Sequence, residues 1–205
     1  MLTLYDNLTS GNTYKVRLLL AHLGLPFERV ELNLRNGETR TDDFLARNPN
    51  GRVPALVLED GTVLAESDAI LVYLAEGTPF WPGERLARAQ ALQWMFFEQY
   101  SHEPYIAVVR HWRHEGHMTM QQAAELPGRV ERGYAALKVM ERHLTGRKWF
   151  VGDRMTVADI ALYAYTHVAH EGGFELEVFF AVSDWLARVA AEPGHVPIDW
   201  VPDAK

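Results

Sequence analysis

The first half of the chain mixes short alternating segments with segments whose apolar residues recur at helical spacing. One helix, which Gly24 ends, has four apolar residues on one face: Val16, Leu19, Leu20 and Leu23. Asp60-Gly61 separates two apolar runs, which is typical of a hairpin turn. The pattern predicts strands at residues 2–5 and 27–34, helices at 12–23, 41–46 and 67–76, and a hairpin at 55–66. The predicted order is therefore βαβ, a short helix, and ββα.

Strand patterns largely vanish after a segment of two prolines, two glycines and two aromatic residues, GTPFWPG, which starts at Gly77. The second half predicts long helices at residues 84–115, 119–144, 156–170 and 179–191. This change from a mixed to an all-helical pattern marks a domain boundary. We therefore expect a first domain at residues 1–77, a linker at 78–83 and a helical domain at 84–205.

Composition excludes several classes of function. The chain has 205 residues, is 48% hydrophobic and carries a formal net charge of −7, which argues against nucleic-acid binding and gives no support for an anionic membrane surface. It has no cysteine, so disulfides, thiolate metal sites and cysteine nucleophiles are excluded. We expect no signal segment and no membrane-spanning helix, because no apolar run reaches about 18 residues. A cytosolic location fits this composition.

A hydroxyl at the start of the first helix is the first candidate for chemistry. Ser10 lies where the strand gives way to the helix, and a helix N-terminus stabilises an anion such as a thiolate. A hydroxyl there can also donate a hydrogen bond to sulfur and lower its pKa. The alternative is structural, because serine is a preferred N-cap residue.

Two more segments have both a structural and a functional interpretation. Pro54 can open a strand as an ordinary trans proline, or a cis Val53-Pro54 bond can turn the backbone of Val53 toward a peptide ligand. Ser67 can cap a helix, or its hydroxyl and the helix N-terminus can bind a carboxylate while Glu66 binds a neighbouring ammonium. Together the three segments predict a pocket for a small zwitterionic peptide.

The helical half offers fewer candidates. Thr156 and Asp159 form a capping-box pattern, which we interpret as a folding element. A metal site is not expected, because the histidines lack a known zinc pattern and fit a solvated or pocket-lining helix face. These histidines are His102, His111, His114 and His117. Tyr105 and Trp112 are aromatic candidates for an apolar pocket.

In the order and spacing of these motifs the chain resembles the cytosolic glutathione S-transferase family, bacterial and serine/threonine-type, over nearly its whole length. The resembling segments are NPNGRVPAL at 48–56, ESDAI at 66–70, GDRMTVADIALY at 152–163 and DWLARVAAEPG at 184–194. The resemblance implies an α/β plus all-α architecture: an N-terminal thioredoxin-like domain that binds glutathione, then an all-helical domain that contributes the electrophile pocket.

The resemblance also implies roles by matched position. Val53, beside a cis Pro54, would bond the cysteinyl backbone of glutathione. Glu66 and Ser67 would hold the γ-glutamate, and Arg52 flanks that site.

The catalytic hydroxyl of serine-type members aligns with Ser10, and Asn12 stands where related bacterial members carry a polar helper. Tyrosine-type members place their hydroxyl near Asp6. Tyr5 is one residue away and would point to the opposite face of the strand, so we rank it below Ser10. Two neighbouring hydroxyls remain as substitutes, those of Thr9 and Thr13.

The implied function is a glutathione transferase that activates the glutathione thiol as thiolate for attack on a hydrophobic electrophile between the domains. Tyr105 and Trp112 are its candidate pocket residues. The alternatives are a glutathione-dependent peroxidase or disulfide reductase, and a non-enzymatic binding protein of the same fold. An isomerase is less expected, because its serine-type signature usually carries a cysteine where Asn12 stands.

The implied partners follow from the same resemblance. Glutathione would be a co-substrate, with no bound cofactor and no metal, and the second substrate would be a small hydrophobic electrophile. We expect a cytoplasmic homodimer with a detoxification role, and no nucleic-acid or membrane partner. The electrophile itself and the class within the family do not follow from the sequence.

Overall fold

The computed structural model describes residues 1–114 and 116–202 and divides them into two compact units. The first unit comprises Met1–Thr78 together with the residues from Pro193 onward, and the second comprises Pro79–Glu192. The residues from Pro193 onward, which the sequence analysis assigned to the helical domain, therefore lie with the first unit.

The first unit is a mixed sheet with helices, as predicted. Its elements are β1 (Leu2–Asp6), α1 (Gly11–Leu23), β2 (Phe27–Glu31), α2 (Asp42–Leu45), β3 (Ala55–Val57), β4 (Val63–Ala65) and α3 (Ser67–Ala75), with a 3₁₀ turn at Glu38–Arg40. The sheet order is β2-β1-β3-β4, with β1 and β2 parallel and the other pairs antiparallel. The expected thioredoxin-like unit is therefore confirmed. Strand β2 ends three residues before its predicted limit.

Helix α1 is buried around most of its circumference. Val16, Leu19 and Leu20 are fully buried, and so are the charged side chains of Lys15 and Arg17. The helix ends at Gly24, whose φ of +62° is left-handed and whose N–H donates to Ala21 O.

The C-terminal segment of the first unit is bonded to α1. Tyr14 Oη donates to Val196 O at 2.7 Å, and Arg17 Nη1 donates to Trp200 O at 3.1 Å. Because both donors lie in the first half of α1, this segment fixes the end of the helix that follows Ser10.

The second unit is all-helical, which confirms the other half of the predicted architecture. Its helices are α4 (Arg85–Phe97), α5 (Glu103–His114), α6 (Met120–Leu144), α7 (Val157–Thr166) and α8 (Phe180–Ala190), with a 3₁₀ turn at Ala169–Gly172. The helix predicted at 84–115 is helical without a break from Arg85 to His114, but it is not α-helical throughout. A π-helical turn, Glu98–His102, joins α4 to α5, and Pro104 explains it in part because proline cannot donate the next α-helical hydrogen bond.

The capping box at the start of α7 is confirmed as a folding element. Asp159 is fully buried, and its carboxylate accepts hydrogen bonds from Thr156 N at 2.9 Å, Phe150 N at 3.1 Å and Trp185 Nε1 at 3.0 Å. One carboxylate thus joins the start of α7 to the preceding loop and to α8.

Candidate functional site

The hydroxyl of Ser10 is not used to cap α1. Ser10 is the N-cap residue by position, with φ −77° and ψ 123°, yet its side chain makes no capping hydrogen bond. Its backbone is fixed, because Ser10 N donates to Asn7 O at 2.9 Å and Ser10 O accepts from Tyr14 N at 3.0 Å. The structure therefore presents a half-buried hydroxyl at a helix N-terminus with its backbone held in place.

The substitute hydroxyls are engaged in internal hydrogen bonds. Thr13 is fully buried, with its hydroxyl 2.8 Å from Asn7 O and 3.0 Å from Ser10 O. Thr9 donates to Asn7 Oδ1 at 3.0 Å. Both side chains therefore fix the turn before α1, which leaves Ser10 as the better-placed hydroxyl.

The strand positions next to this turn are also occupied by internal contacts. Tyr5 packs edge-on against Phe44 with ring centroids 5.6 Å apart, and Arg47 lies over its ring at 5.4 Å. Asp6 is fully buried and forms ion pairs with Arg17 and Arg29. Both side chains are therefore engaged in contacts within the protein, whereas the Ser10 side chain makes no capping hydrogen bond.

Val53-Pro54 is a cis peptide bond, as the resemblance implied. The backbone N–H and C=O of Val53 form no hydrogen bond with any described residue, although Val53 is half-buried. The loop before it is rigid, because Asn48 Nδ2 donates to Arg52 O at 2.7 Å and Asn48 Oδ1 accepts from Asn50 N at 3.1 Å. The structure thus holds an unpaired backbone donor and acceptor in a fixed position, while the Arg52 side chain is exposed.

Glu66 joins β4 to α3 in a backbone conformation that non-glycine residues avoid. Its φ is +66° and its ψ is 114°, and no other non-glycine residue in the described ranges has a positive φ. Asn50 Nδ2 donates to Glu66 Oε1 at 3.4 Å. Strained backbone conformations of this kind persist only where the surrounding structure holds them in place, and they cluster at ligand-binding positions.

Ser67 begins α3 and faces the start of α1. Its side chain is buried, and its hydroxyl lies 3.5 Å from Asn12 Oδ1. The first turns of α1 and α3 therefore meet at these two polar groups. Each helix N-terminus carries a partial positive charge, so the junction favours anionic ligand groups.

Sequence reasoning missed the charged pair below this junction. Lys15 Nζ lies 3.1 Å from Asp68 Oδ1 and 3.4 Å from Ser67 Oγ, and Lys15 is fully buried. A lysine within an amphipathic helix is typical of a solvated position, so the sequence offered no signal for its burial.

The candidate pocket aromatics lie on the face of α5 that contacts α6. Arg132 Nη1 donates to Tyr105 Oη at 3.0 Å, and the guanidinium of Arg129 lies 4.8 Å from the ring centroid of Trp112. Trp112 is buried, with 9% of its surface exposed. Their contact with an electrophile stays a prediction.

The histidines have protein partners of ordinary kinds. His102 is buried with Nε2 2.9 Å from Thr166 Oγ1, and His114 Nε2 lies 3.0 Å from Glu171 Oε2. Within residues 1–114 and 116–202 there is no group of three histidine, aspartate or glutamate side chains able to hold a metal ion. In the same ranges no helix is both long and apolar enough to cross a membrane.

Known proteins resemble this chain in both sequence and structure. The N-terminal domain of glutathione S-transferases matches residues 1–76, and their C-terminal domain matches residues 94–193. A glutathione S-transferase from Pseudomonas fluorescens superimposes with a TM-score of 0.94 at 49% identity, covering 96% of this chain and 98% of that one.

More distant relatives include Ure2p. Its structure in complex with glutathione has a TM-score of 0.87 at 28% identity, covering 94% of this chain and 95% of that one. The transcriptional regulator URE2 of Saccharomyces cerevisiae is 27% identical over 234 residues, which span 95% of this chain and 66% of that protein. With both domains matched in order, the chain belongs to the glutathione S-transferase family.

Proposed function

We propose that the protein is a glutathione transferase in which Ser10 stabilises the glutathione thiolate. The observation that carries this proposal is the Ser10 hydroxyl, which lies at the N-terminus of α1 and is not used for capping. A hydroxyl that donates to a sulfur anion beside a helix N-terminus lowers the thiol pKa. The thiolate, which is the nucleophilic form, then attacks a hydrophobic electrophile.

The cysteinyl backbone and the γ-glutamyl end of the tripeptide each have a candidate partner. The unpaired N–H and C=O of Val53 suit the backbone of the cysteinyl residue, in the manner of an added strand. Ser67 and the first turn of α3 suit the γ-glutamyl carboxylate, and Glu66 suits its ammonium. Arg52 is exposed beside this site and adds positive charge. The related Ure2p binds glutathione in its own solved complex, which supports this assignment.

Substitution of Ser10 tests the proposal. In Ser10→Ala we expect the pKa of the thiol of bound glutathione to rise. We also expect kcat/KM with a nitroaryl halide to fall by about 100-fold, as when one donor to a developing anion is removed. Ser10→Thr keeps a hydroxyl and should retain most of the activity. Full wild-type activity of Ser10→Ala would reject the role of Ser10.

A second candidate is glutathione binding without transfer chemistry, which the similarity to a named transcriptional regulator favours. Calorimetric titration with glutathione and with S-hexylglutathione separates the cases when combined with assays on aryl halides and hydroperoxides. Binding of both ligands without turnover of any electrophile or peroxide would favour the binding protein. The homodimer, the cytoplasmic location and a detoxification role stay predictions, and light scattering tests the first of them.

A further inference from the structure

Lys15 is a fully buried lysine that ends beside the candidate carboxylate-binding serine. Its ammonium Nζ lies 3.4 Å from Ser67 Oγ and 3.1 Å from Asp68 Oδ1. A lysine is almost never fully buried unless its charge is paired, because desolvation of an ammonium is costly. Asp68 supplies that pairing from the first turn of α3, and its side chain is 16% exposed.

We propose that Lys15 is a positioning residue that prepares the Ser67 hydroxyl to receive a ligand carboxylate. An ammonium can only donate hydrogen bonds, so Ser67 Oγ must accept from it. The single hydrogen of the hydroxyl is then left to point away from Lys15, toward Asn12 Oδ1 at 3.5 Å or toward an incoming anion. This inference rests on the proposed function, because it assigns the γ-glutamyl carboxylate to Ser67.

The positive charge of Lys15 also favours the binding of a ligand carboxylate at Ser67, as its hydrogen bond to Ser67 does. A carboxylate that accepts from Ser67 Oγ comes within a few ångströms of the ammonium, where screening by solvent is weak because Lys15 has no exposed surface. Asp68 Oδ2 is also buried, and it forms no hydrogen bond with any described residue. The ammonium is therefore held beside Ser67 while it pairs with Asp68 Oδ1.

A purely structural role makes a different prediction. The Lys15–Asp68 pair joins α1 to α3, so it could act only by holding the two helices together. Loss of the pair would then weaken every ligand of the site by the same factor. A role in carboxylate binding weakens only those ligands that carry the carboxylate.

Three proteins and three ligands separate these roles. The proteins are wild type, Lys15→Met/Asp68→Asn, which removes the ammonium without leaving a buried carboxylate unpaired, and Lys15→Gln/Asp68→Asn, which removes the charge but keeps a hydrogen-bond donor at position 15. The ligands are glutathione, glutaryl-cysteinylglycine, which lacks the α-amino group, and γ-aminobutyryl-cysteinylglycine, which lacks the α-carboxylate. Calorimetry or fluorescence titration gives each Kd.

Lys15→Met/Asp68→Asn should bind glutathione and glutaryl-cysteinylglycine about 10-fold more weakly than wild type, as for loss of a hydrogen bond network around a charged group. Lys15→Gln/Asp68→Asn should also bind these two ligands more weakly than wild type, because it lacks the charge. Both double variants should bind γ-aminobutyryl-cysteinylglycine as tightly as wild type, because that ligand has no carboxylate to place at Ser67.

Other results overturn the inference in distinct ways. An equal loss for all three ligands would assign Lys15 a structural role only. If Lys15→Met/Asp68→Asn does not fold, Lys15→Gln/Asp68→Asn still decides, because unchanged binding of glutaryl-cysteinylglycine in that variant would contradict a positioning ammonium. Failure of wild type to bind glutathione at all would instead reject the proposed function.

Discussion

The guanidinium of Arg17 donates a hydrogen bond to the carbonyl oxygen of Leu8, with Nη2 2.8 Å from that oxygen. Leu8 lies two residues before Ser10, so this buried donor fixes the turn that presents the candidate catalytic hydroxyl. The same guanidinium bonds Trp200 O and pairs with Asp6. Burial lowers the pKa of Arg17, and the nearby Asp6 carboxylate opposes that effect.

Replacement of Arg17 should destabilise the first unit. In Arg17→Met the carbonyls of Leu8 and Trp200 lose their donor and Asp6 keeps only Arg29, so we expect the free energy of unfolding to fall by about 3 kcal/mol. Urea unfolding followed by circular dichroism measures the change. Arg35→Met, at an exposed position of the same unit, is the control. A change no larger than that of Arg35→Met would show that the network contributes little.

Glu66 should show a conflict between stability and binding. A residue at φ +66° is strained unless it is glycine, so Glu66→Gly should raise the free energy of unfolding by about 1 kcal/mol while glutathione binding weakens. Glu66→Gln keeps the strain and removes only the charge, so it should weaken binding without a gain in stability. Thermal unfolding and calorimetric titration on the same samples measure both effects. If Glu66→Gly is no more stable than Glu66→Gln, the strain is not stored at this residue.

Gly51 should be irreplaceable for a steric reason, not only a conformational one. A Cβ at Gly51 would lie 2.9 Å from Thr39 O and would overlap the guanidinium of Arg40, whereas a Cβ at Gly37 would meet nothing within 4 Å. The two glycines share a left-handed φ, +62° and +71° respectively. Gly37→Ala therefore measures only the cost of placing alanine at a left-handed φ. Gly51→Ala adds the steric overlap of the new Cβ with Thr39 and Arg40.

We expect Gly51→Ala to lower the free energy of unfolding by at least about 1 kcal/mol more than Gly37→Ala, as overpacking of a tight site does. It should also weaken glutathione binding, because the loop from Asn48 to Arg52 positions Val53. Chemical unfolding of both variants gives the comparison. Equal losses in the two variants would mean that the loop relaxes around the added methyl group.

The sequence was sufficient for the order of elements and for the position of the main motifs within them. Periodicity separates helices from strands in this chain, and the spacing of the motifs placed Pro54 directly before β3 and Ser67 at the start of α3. Whether the Ser10 hydroxyl is used for capping could not be decided from the sequence, because both outcomes use the same residue type.

Features that depend on contacts distant in sequence were not predictable. Lys15 and Asp68 are 53 residues apart, and nothing in either local pattern indicates that they pair. The π-helical turn at Glu98–His102 depends in part on Pro104, which was visible in the sequence, because a proline inside a helical pattern removes a donor. The attachment of the C-terminal segment to α1 likewise depends on tertiary packing.

Asp159 should make stability depend on pH in the direction opposite to an ordinary paired aspartate. Burial raises its pKa from 3.8 to about 6, although hydrogen bonds from Thr156, Phe150 and Trp185 oppose the rise. Between these values the folded protein binds more protons than the unfolded chain. The contribution of Asp159 to the free energy of unfolding therefore falls as pH rises from about 4 to about 6, by up to about 3 kcal/mol.

The variant Asp159→Asn removes this titration. The difference in free energy of unfolding, wild type minus variant, should therefore decrease from pH 4 to pH 7 in urea unfolding. Asp153→Asn, at a side chain that is 90% exposed, is the control for the same substitution at the surface. A wild-type advantage over Asp159→Asn that grows toward pH 7 would show that the hydrogen bonds outweigh burial and that the carboxylate is ionised at a lower pH.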